Sequence, residues 1–363
     1  MFRDEKKTGL SSYKSHHISP AGVSDGAIRG MKLMQALQVA SCVRQVSSVS
    51  RFGQEDKHMA VSVNYMKDAM VHLYEEANRG NLEVFGELLA PNFVGYGGAG
   101  FQDLHGPKSF KDLYTTFLSA MPDLSFRVEQ MIAEGDMIAV RGTLSGTHEG
   151  NFMGMAAATH KKITWTGTAF FRFNEQGLTD ARWQEWDGMQ VMQQMGVIPT
   201  PPGGDVVPPV PAPPYIPGAE ATSPSWNKAA VRRFIEEVWN KGNLAVADEV
   251  FHPEATSPSA PTLPKGPAAV RMLTTMFRSA MPDYHMDIID IVADGDLVCA
   301  RFTQSGTQTG ELMGIPATGR KATWGEIGVL RFSDGKIVES FYNVDMLALF
   351  QGLGIGGDKS AKA

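Results

Sequence analysis

The segment EGDMIAVRGTLSGTHEGNFMG at Glu134–Gly154 returns as DGDLVCARFTQSGTQTGELMG at Asp294–Gly314. Shorter blocks repeat in the same order around it: NRGNLEV as NKGNLAV (Asn78–Val84, Asn240–Val246), SAMPD unchanged (Ser119–Asp123, Ser279–Asp283) and KKITW as RKATW (Lys161–Trp165, Arg320–Trp324). Chance does not place so many blocks in one order. The sequence therefore contains two copies of one domain.

The composition is that of an ordinary globular protein. The 363 residues are enough for two domains, and 43% of them are hydrophobic and 20% charged. The net charge of −6 gives no electrostatic reason to expect nucleic acid or an acidic membrane surface as partner. No apolar run reaches the roughly 18 residues that a membrane-spanning helix needs. Cys42 and Cys299 lie in unrelated regions without CxxC spacing, so neither a disulfide framework nor a zinc site is expected, and a reducing, cytoplasmic compartment fits.

Three segments lie outside the two copies. Residues 1–60 are rich in Ser and basic residues, which fits a disordered tail or misassigned start, an organelle-targeting peptide within residues 1–55, or a lipidation site at VASC (Val39–Cys42). Residues 199–225 contain ten prolines, which exclude helix and central strand and predict a stiff linker, with a PxxP ligand as the alternative. The predicted domains are residues 61–198 and 226–356, with a disordered tail at 357–363.

The spacing of apolar residues predicts the secondary structure of one copy. Three helices are expected: Tyr65–Gly80, a short one from Asn81 to Leu89 that Pro91 stops, and Gly106–Met121. After them, segments rich in β-branched and aromatic residues predict four strands, followed by a short helix. This order predicts an α+β protein with two copies of a cone-shaped domain, in which a curved, mostly antiparallel sheet wraps around three helices. The mouth of such a cone can hold a ligand.

The helices, the MPDL…EGD…VRGTLSGTHEGNFMG region and RWQEWDGMQVMQQMG together resemble the SnoaL-like polyketide cyclase family, which has the cone-shaped nuclear-transport-factor-2-like fold. The resemblance covers residues 64–198 and 226–355. It implies cofactor-independent acid/base chemistry, an intramolecular aldol cyclisation of a small apolar, aromatic or polyketide-like carbonyl compound. Because this fold serves several activities, an isomerase or hydrolase in the same pocket and a non-catalytic ligand-binding or pairing module remain alternatives. The resemblance also implies that the domains pair through their sheets, either within one chain or between chains.

The resemblance implies one acid/base carboxylate at the end of the last long strand of each copy. The matching residues are Asp187 in WQEWD and Asp345 in FYNVD, and each lies nine positions before the glycine that ends the next helix. In an apolar enclosure, desolvation would raise the pKa of such a carboxylate towards that of a useful general base. The alternative is that each aspartate only caps the following helix.

Residues on the same strand face as these aspartates are candidates for substrate binding. Side chains alternate along a strand, so Trp183 and Glu185 share a face with Asp187, and Phe341 and Asn343 are their equivalents. We expect this face to line the cone.

The remaining candidates are polar or aromatic residues of the central strands. His148 matches a polar position near the pocket rim in the family and is a catalytic candidate, although the second copy has Gln308 there. Arg141 and Arg301 match each other and would bind a substrate carbonyl or carboxylate, or form a salt bridge on the sheet surface. Trp165 and Trp324 are expected in the pocket wall or the core.

The two copies differ at positions that bear on chemistry. His148, Glu149 and His160 would suit a metal, but the second copy lacks all three, so no metal and no cofactor are expected. Glu326 replaces Gly167 and would give the second copy an acid of its own.

Overall fold

The computed structural model describes residues 61–97, 102–152, 157–197 and 223–355. The predicted N-terminal segment, the predicted tail and most of the predicted linker lie outside these residues. Within them, no helix is both long enough and apolar enough to cross a membrane. The α+β class is confirmed, with two sheet-and-helix domains that follow one another along the chain.

The first domain has three helices before its long strands and one helix after them. Its elements are, in order, α1 (Val63–Asn78), α2 (Val84–Leu88), β1 (Leu89–Tyr96), β2 (Leu104–His105), α3 (Gly106–Ala120), β3 (Ser125–Glu134), β4 (Met137–Thr147), β5 (Lys162–Phe173), β6 (Thr179–Trp186) and α4 (Gly188–Met195). Helix α3 ends directly before the Met121–Pro122 pair, as the proline predicts. Strand β1 was not predicted, because Pro91 was interpreted only as a helix stop; Pro91 lies in this strand instead.

The second domain repeats this order, with a π-helix after its first helix and with no equivalent of β2 among its described residues. Its elements are α5 (Pro224–Arg233), a π-helix (Phe234–Asn240), α6 (Val246–Val250), β7 (Phe251–Thr256), α7 (Pro267–Ala280), β8 (His285–Asp294), β9 (Leu297–Thr307), β10 (Lys321–Ser333), β11 (Lys336–Val344) and α8 (Met346–Gly352).

The π-helix accommodates one residue that the first domain lacks. Before it, Tyr65 and Trp226, which are 161 positions apart, each meet a phenylalanine of their own sheet edge-on. After it, Asn78 and Asn240, which are 162 positions apart, each hydrogen-bond the backbone of the first long strand through both amide atoms. The wider π-turn therefore absorbs an insertion without shifting the contacts on either side.

Each sheet curves around its own helices. The strand orders are β2-β1-β6-β5-β4-β3 and β7-β11-β10-β9-β8, and all neighbours are antiparallel except the pairs β1–β6 and β7–β11. The register shifts once in the β3–β4 pair and once, at the equivalent place, in the β8–β9 pair. Such bulges increase the local bend and twist of a strand. One face of each sheet packs on the helices and forms the core of its domain.

The other faces of the two sheets pack against each other. An apolar cluster joins them, with Ile132, Ala139 and Phe170 from the first domain and Val292, Cys299, Ile327, Val329 and Phe341 from the second. Arg141 lies over the Phe341 ring at 3.9 Å, and Arg301 lies over the Trp183 ring at 4.8 Å. Because these two pairs are equivalent in the repeat, the domains are related by a pseudo-twofold axis, as in an isologous dimer.

Polar contacts also cross between the sheets. Asn343 Oδ1 accepts a hydrogen bond from Thr168 Oγ1 at 2.8 Å, and Asn343 Nδ2 donates to Thr166 Oγ1 at 3.0 Å. At the periphery, Lys67 pairs with Asp294 at 2.5 Å, and the equivalent pair joins Lys228 to Glu134. These contacts fix the register of one domain on the other.

Candidate functional site

Each domain encloses a cavity between its sheet and its helices. In the first cavity, of about 290 Å³, strand β6 contributes Arg182, Gln184 and Trp186. In the second cavity, of about 370 Å³, strand β11 contributes the equivalent residues Ser340, Tyr342 and Val344. Both volumes are of the size that holds a small organic molecule.

The sequence interpretation assigned the wrong faces of β6 and β11 to the cavities. Trp183 and Glu185 point away from the first cavity towards the second domain, and Phe341 and Asn343 point towards the first domain. Each sheet is buried on both faces, by helices on one side and by the other sheet on the opposite side. Apolar content therefore does not distinguish the inner face of β6 or β11.

The second cavity combines an apolar wall with a carboxyl group. Its wall includes the aromatic residues Phe234, Trp239, Phe251, Phe277 and Phe302. The side chain of Glu326, on β10, lines the same cavity and is largely buried. Burial raises the pKa of Glu326 to about 7, while the hydrogen bond from Gln304 opposes this rise. Near neutral pH this group can therefore both accept and donate a proton.

Glu326 is held in place by Gln304, which is itself oriented by Tyr284. Tyr284 donates its hydroxyl to Gln304 Oε1 at 2.6 Å, so the amide of Gln304 is oriented with Nε2 towards Glu326. Gln304 Nε2 then donates to Glu326 Oε2 at 2.6 Å. Among the described residues, Oε1 of Glu326 has no hydrogen-bond partner, which leaves it for a ligand. Tyr342 lines the same cavity, and burial, together with the charge of Glu326, raises the pKa of its phenol, so the hydroxyl stays a donor.

The sequence is similar to those of one known protein family. The SnoaL-like polyketide cyclase family matches the chain twice, over residues 68–195 and 229–353. The chain belongs to this family. It is 33% identical over 129 residues to aklanonic acid methyl ester cyclase DnrD of Streptomyces peucetius, covering 34% of this chain and 88% of that protein. It is also 33% identical over 130 residues to the cyclase DauD of Streptomyces sp. (strain C5), covering 34% and 79%. The solved structure of TsrD from Streptomyces laurentii is 29% identical, covers 37% of this chain and 98% of that one, and has a TM-score of 0.35.

In both SnoaL-like domains the aspartate after the last long strand caps the final helix. Asp187 Oδ1 accepts from the backbone N–H of Gln190, and Asp345 Oδ1 accepts from that of Ala348, each at 2.8 Å. Asp187 also lines the cavity of the second domain, and burial raises its pKa while the Gln190 hydrogen bond opposes this. Asp345 is not among the described residues that line either cavity.

His148 anchors a loop of the first SnoaL-like domain. Its side chain is fully buried, Nδ1 lies 3.0 Å from Thr159 Oγ1, and the ring does not line the first cavity. Its expected place at the pocket rim is therefore wrong. The equivalent Gln308 holds the matching loop of the second domain by donating to the Ile315 carbonyl and accepting from Thr318. A histidine and a glutamine thus serve the same structural purpose.

The matched arginines and tryptophans are divided between the interface and the cores. Arg141 pairs with Glu129, and Arg301 pairs with Asp290 through Nε at 2.8 Å, so both follow the salt-bridge alternative. Trp165 lines the first cavity, as a pocket wall would. Trp324 is buried in the core of the second SnoaL-like domain against Phe277 and Tyr284.

Glu185 occupies the domain interface without the hydrogen bonds that its equivalent makes. Asn343, at the matching position, binds Thr166 and Thr168, whereas Glu185 faces Gly325, where a Cβ atom would overlap its carboxylate. Burial raises the pKa of Glu185 to about 8, the charge of Asp345 adds to this, Arg301 opposes it, and Glu326 adds a smaller rise. Glu185 is therefore protonated at neutral pH.

The part of the chain that the structure describes contains no cluster of three or more His, Cys, Asp or Glu residues that could hold a metal ion. The sequence interpretation missed several cavity-facing residues of the long strands, among them Arg182, Gln184, Trp186, Gln304 and Tyr342. The difference between Gly167 and Glu326 was the one signal in the sequence that led to the second cavity.

Proposed function

We propose that the second domain of this SnoaL-like protein is a cofactor-independent cyclase that uses Glu326 as its acid and base. The observation that carries the proposal is a carboxyl group with a pKa of about 7 in an apolar cavity, fixed by Gln304. The similarity to aklanonic acid methyl ester cyclases supports ring closure as the reaction and a polyketide ester as the substrate class.

The reaction needs only proton transfers and one new carbon–carbon bond. Ionised Glu326 removes a proton from a carbon next to a carbonyl group, and the Tyr342 hydroxyl donates a hydrogen bond to the enolate oxygen that develops. The enolate carbon attacks a second carbonyl of the same molecule, and the resulting alkoxide takes the proton back from Glu326. No atom is lost or gained, so the product is an isomer of the substrate.

Asp187 is the second acid of this proposal. Its Oδ1 is used by the helix cap, which leaves Oδ2 to donate a hydrogen bond to the carbonyl that is attacked when the carboxyl is protonated, a form that burial favours by raising its pKa. Asp345 and His148, which were catalytic candidates from the sequence, line neither cavity among the described residues and receive no role in proton transfer.

The test uses aklanonic acid methyl ester and measures formation of the cyclised isomer by the full-length protein. Glu326→Gln keeps the shape and the Gln304 contact but cannot take a proton, so we expect kcat/KM to fall by at least about 100-fold. Asp187→Asn, which preserves the cap, should cost roughly 10-fold. For the wild type, kcat/KM should rise with pH through an apparent pKa near 7, as Glu326 ionises, and fall again where Asp187 loses its proton.

Asp345→Asn is the matched control, since it changes an equivalent carboxylate that lines neither cavity; it should keep the wild-type rate. If the ester is not turned over, deuterium exchange next to the carbonyl of simpler diketones reports the first proton transfer alone. A folded Glu326→Gln protein with the wild-type rate would show that another group is the base. A product that contains an added water would instead indicate a hydrolase.

A further inference from the structure

Among the described residues, those that line the first cavity include one charged side chain and no acid to balance it. Arg182 is the only charged residue among the described residues that line this cavity. It is largely buried, and its Nε has no hydrogen-bond partner among those residues. Asp180, two positions earlier on β6, is paired with Arg172 at 2.8 Å and does not serve Arg182. A guanidinium group in such a position carries a desolvation cost that an anion would relieve.

The surroundings of Arg182 are aromatic. Its guanidinium carbon lies 4.9 Å from the ring centre of Phe110 and 5.7 Å from that of Phe171. The charge of Arg182 interacts with the hydroxyl groups of Tyr74 and Tyr114, and burial raises the pKa of both phenols. These phenols therefore stay neutral and do not act as counter-ions.

Comparison within the chain shows that the fold does not need this arginine. The second domain has Ser340 at the position of Arg182, and its cavity contains Glu326 where the first has Gly167. The first cavity therefore contains a cationic side chain and the second an acidic one, although the two domains have the same fold.

The other buried arginines of the sheets are paired with acids. Arg141 is held by Glu129, and Arg331 is held by Asp296 at 2.9 Å. Arg182 differs from them because its side chain is turned into an open cavity instead of an interface or a closed core.

We propose that the first cavity is a binding site for a flat, aromatic carboxylate. Arg182 would form a charge-assisted pair with the carboxylate, and the amide of Gln184, two residues further along β6, would supply another hydrogen bond. The rings of Trp165, Trp186 and Phe117 form walls against which a planar apolar body would pack. One unpaired cation suits a monoanion. This site is separate from the proposed cyclase centre and does not depend on it.

The experiment compares 2-naphthoate with its neutral isostere 2-naphthamide by isothermal titration calorimetry on the full chain at pH 7. We expect the wild type to bind the carboxylate at least about 10-fold more tightly than the amide, since a hydrogen-bonded charge pair has this strength. Arg182→Met should abolish this preference, with affinity for 2-naphthoate falling about 10- to 100-fold and that for 2-naphthamide little changed. Arg182→Lys, which retains the positive charge, should keep part of the preference for 2-naphthoate over 2-naphthamide.

Arg172→Met is the matched control, because it removes an arginine of strand β5 that lines neither cavity; it should leave the preference for 2-naphthoate unchanged. The comparison of the two ligands on the wild type needs no variant, so it tests the proposal even if Arg182→Met does not fold. Equal affinity of the wild type for acid and amide, absence of 2-naphthoate binding at millimolar concentration, or an unchanged preference in a folded Arg182→Met protein would each overturn the proposal.

Discussion

Glu185→Gln should make this protein more resistant to alkaline pH. In the structure Glu185 lies between the two domains, opposite Gly325 and partly buried, and its pKa is raised to about 8 by burial and by the charge of Asp345, against the opposing effect of Arg301. The folded protein therefore holds a proton on Glu185 that the unfolded chain releases near the ordinary glutamate pKa. Such a group contributes most stability below about pH 4.5, and this contribution is lost as the pH rises through 8.

The size of the effect follows from the two pKa values. For a folded pKa of about 8 and an unfolded pKa of 4.5, linkage gives a loss of about 2.7 kcal/mol in the free energy of unfolding between pH 6 and pH 9. Because the side chain is partly exposed, solvent screening reduces this figure, and we expect about 2 kcal/mol. Glutamine at this position has no proton to release and should not show this loss.

Urea unfolding of the wild type and of Glu185→Gln at pH 6 and pH 9 measures the difference directly. Groups that do not interact with Glu185 titrate alike in both proteins, so their contributions cancel in the comparison. Glu175→Gln, in an exposed turn, is the matched control and should follow the wild type. If the wild type and Glu185→Gln lost the same free energy of unfolding between the two pH values, the assignment of an elevated pKa to Glu185 would be refuted.

Two further substitutions test the interface and the helix cap. Asn343→Ala should lower the free energy of unfolding by about 2–3 kcal/mol in urea titrations, because Thr166 and Thr168 would remain buried without their partner; a loss below 0.5 kcal/mol would contradict this. Asp345→Ala should cost about 1 kcal/mol through the lost cap of α8, whereas Asp345→Asn should cost only a few tenths, and equal losses for the two variants would exclude capping as the cause.

Much of the fold was predictable because the repeat aligned the two copies. Helices α1 and α3 have clear periodicity, the four long strands of the first domain are rich in β-branched and aromatic residues, and SAMPD marks the end of α3 through its proline. Strand β1 was missed, because its pairing partner is β6, about 90 residues later, and local sequence does not reveal a parallel neighbour of that kind. The π-helix was missed as well. Its extra residue changes the distance in sequence between equivalent residues of the two copies from 161 positions before it to 162 after it.

The candidate site was predictable only in part, and the reason is the second sheet. Trp183 and Glu185 alternate with Arg182, Gln184 and Trp186, and both sets combine aromatic with polar side chains. In an isolated domain the more apolar set would face inward, but here the outer set is covered by the partner domain. The choice between the two faces depends on contacts between distant residues, such as that of Thr168 with Asn343, 175 positions apart, and the alternation itself does not reveal them.

The pseudo-twofold arrangement has a consequence for how such a protein evolves. In a symmetric homodimer one gene encodes both halves, so each substitution appears on both sides of the axis and must be tolerated twice. With both halves in one polypeptide, each position mutates by itself, and pairing no longer depends on protein concentration. Asn343 and Glu185, or Ser340 and Arg182, show the result: positions of common ancestry now carry different chemistry, so an ancestral pair of identical pockets has been free to specialise.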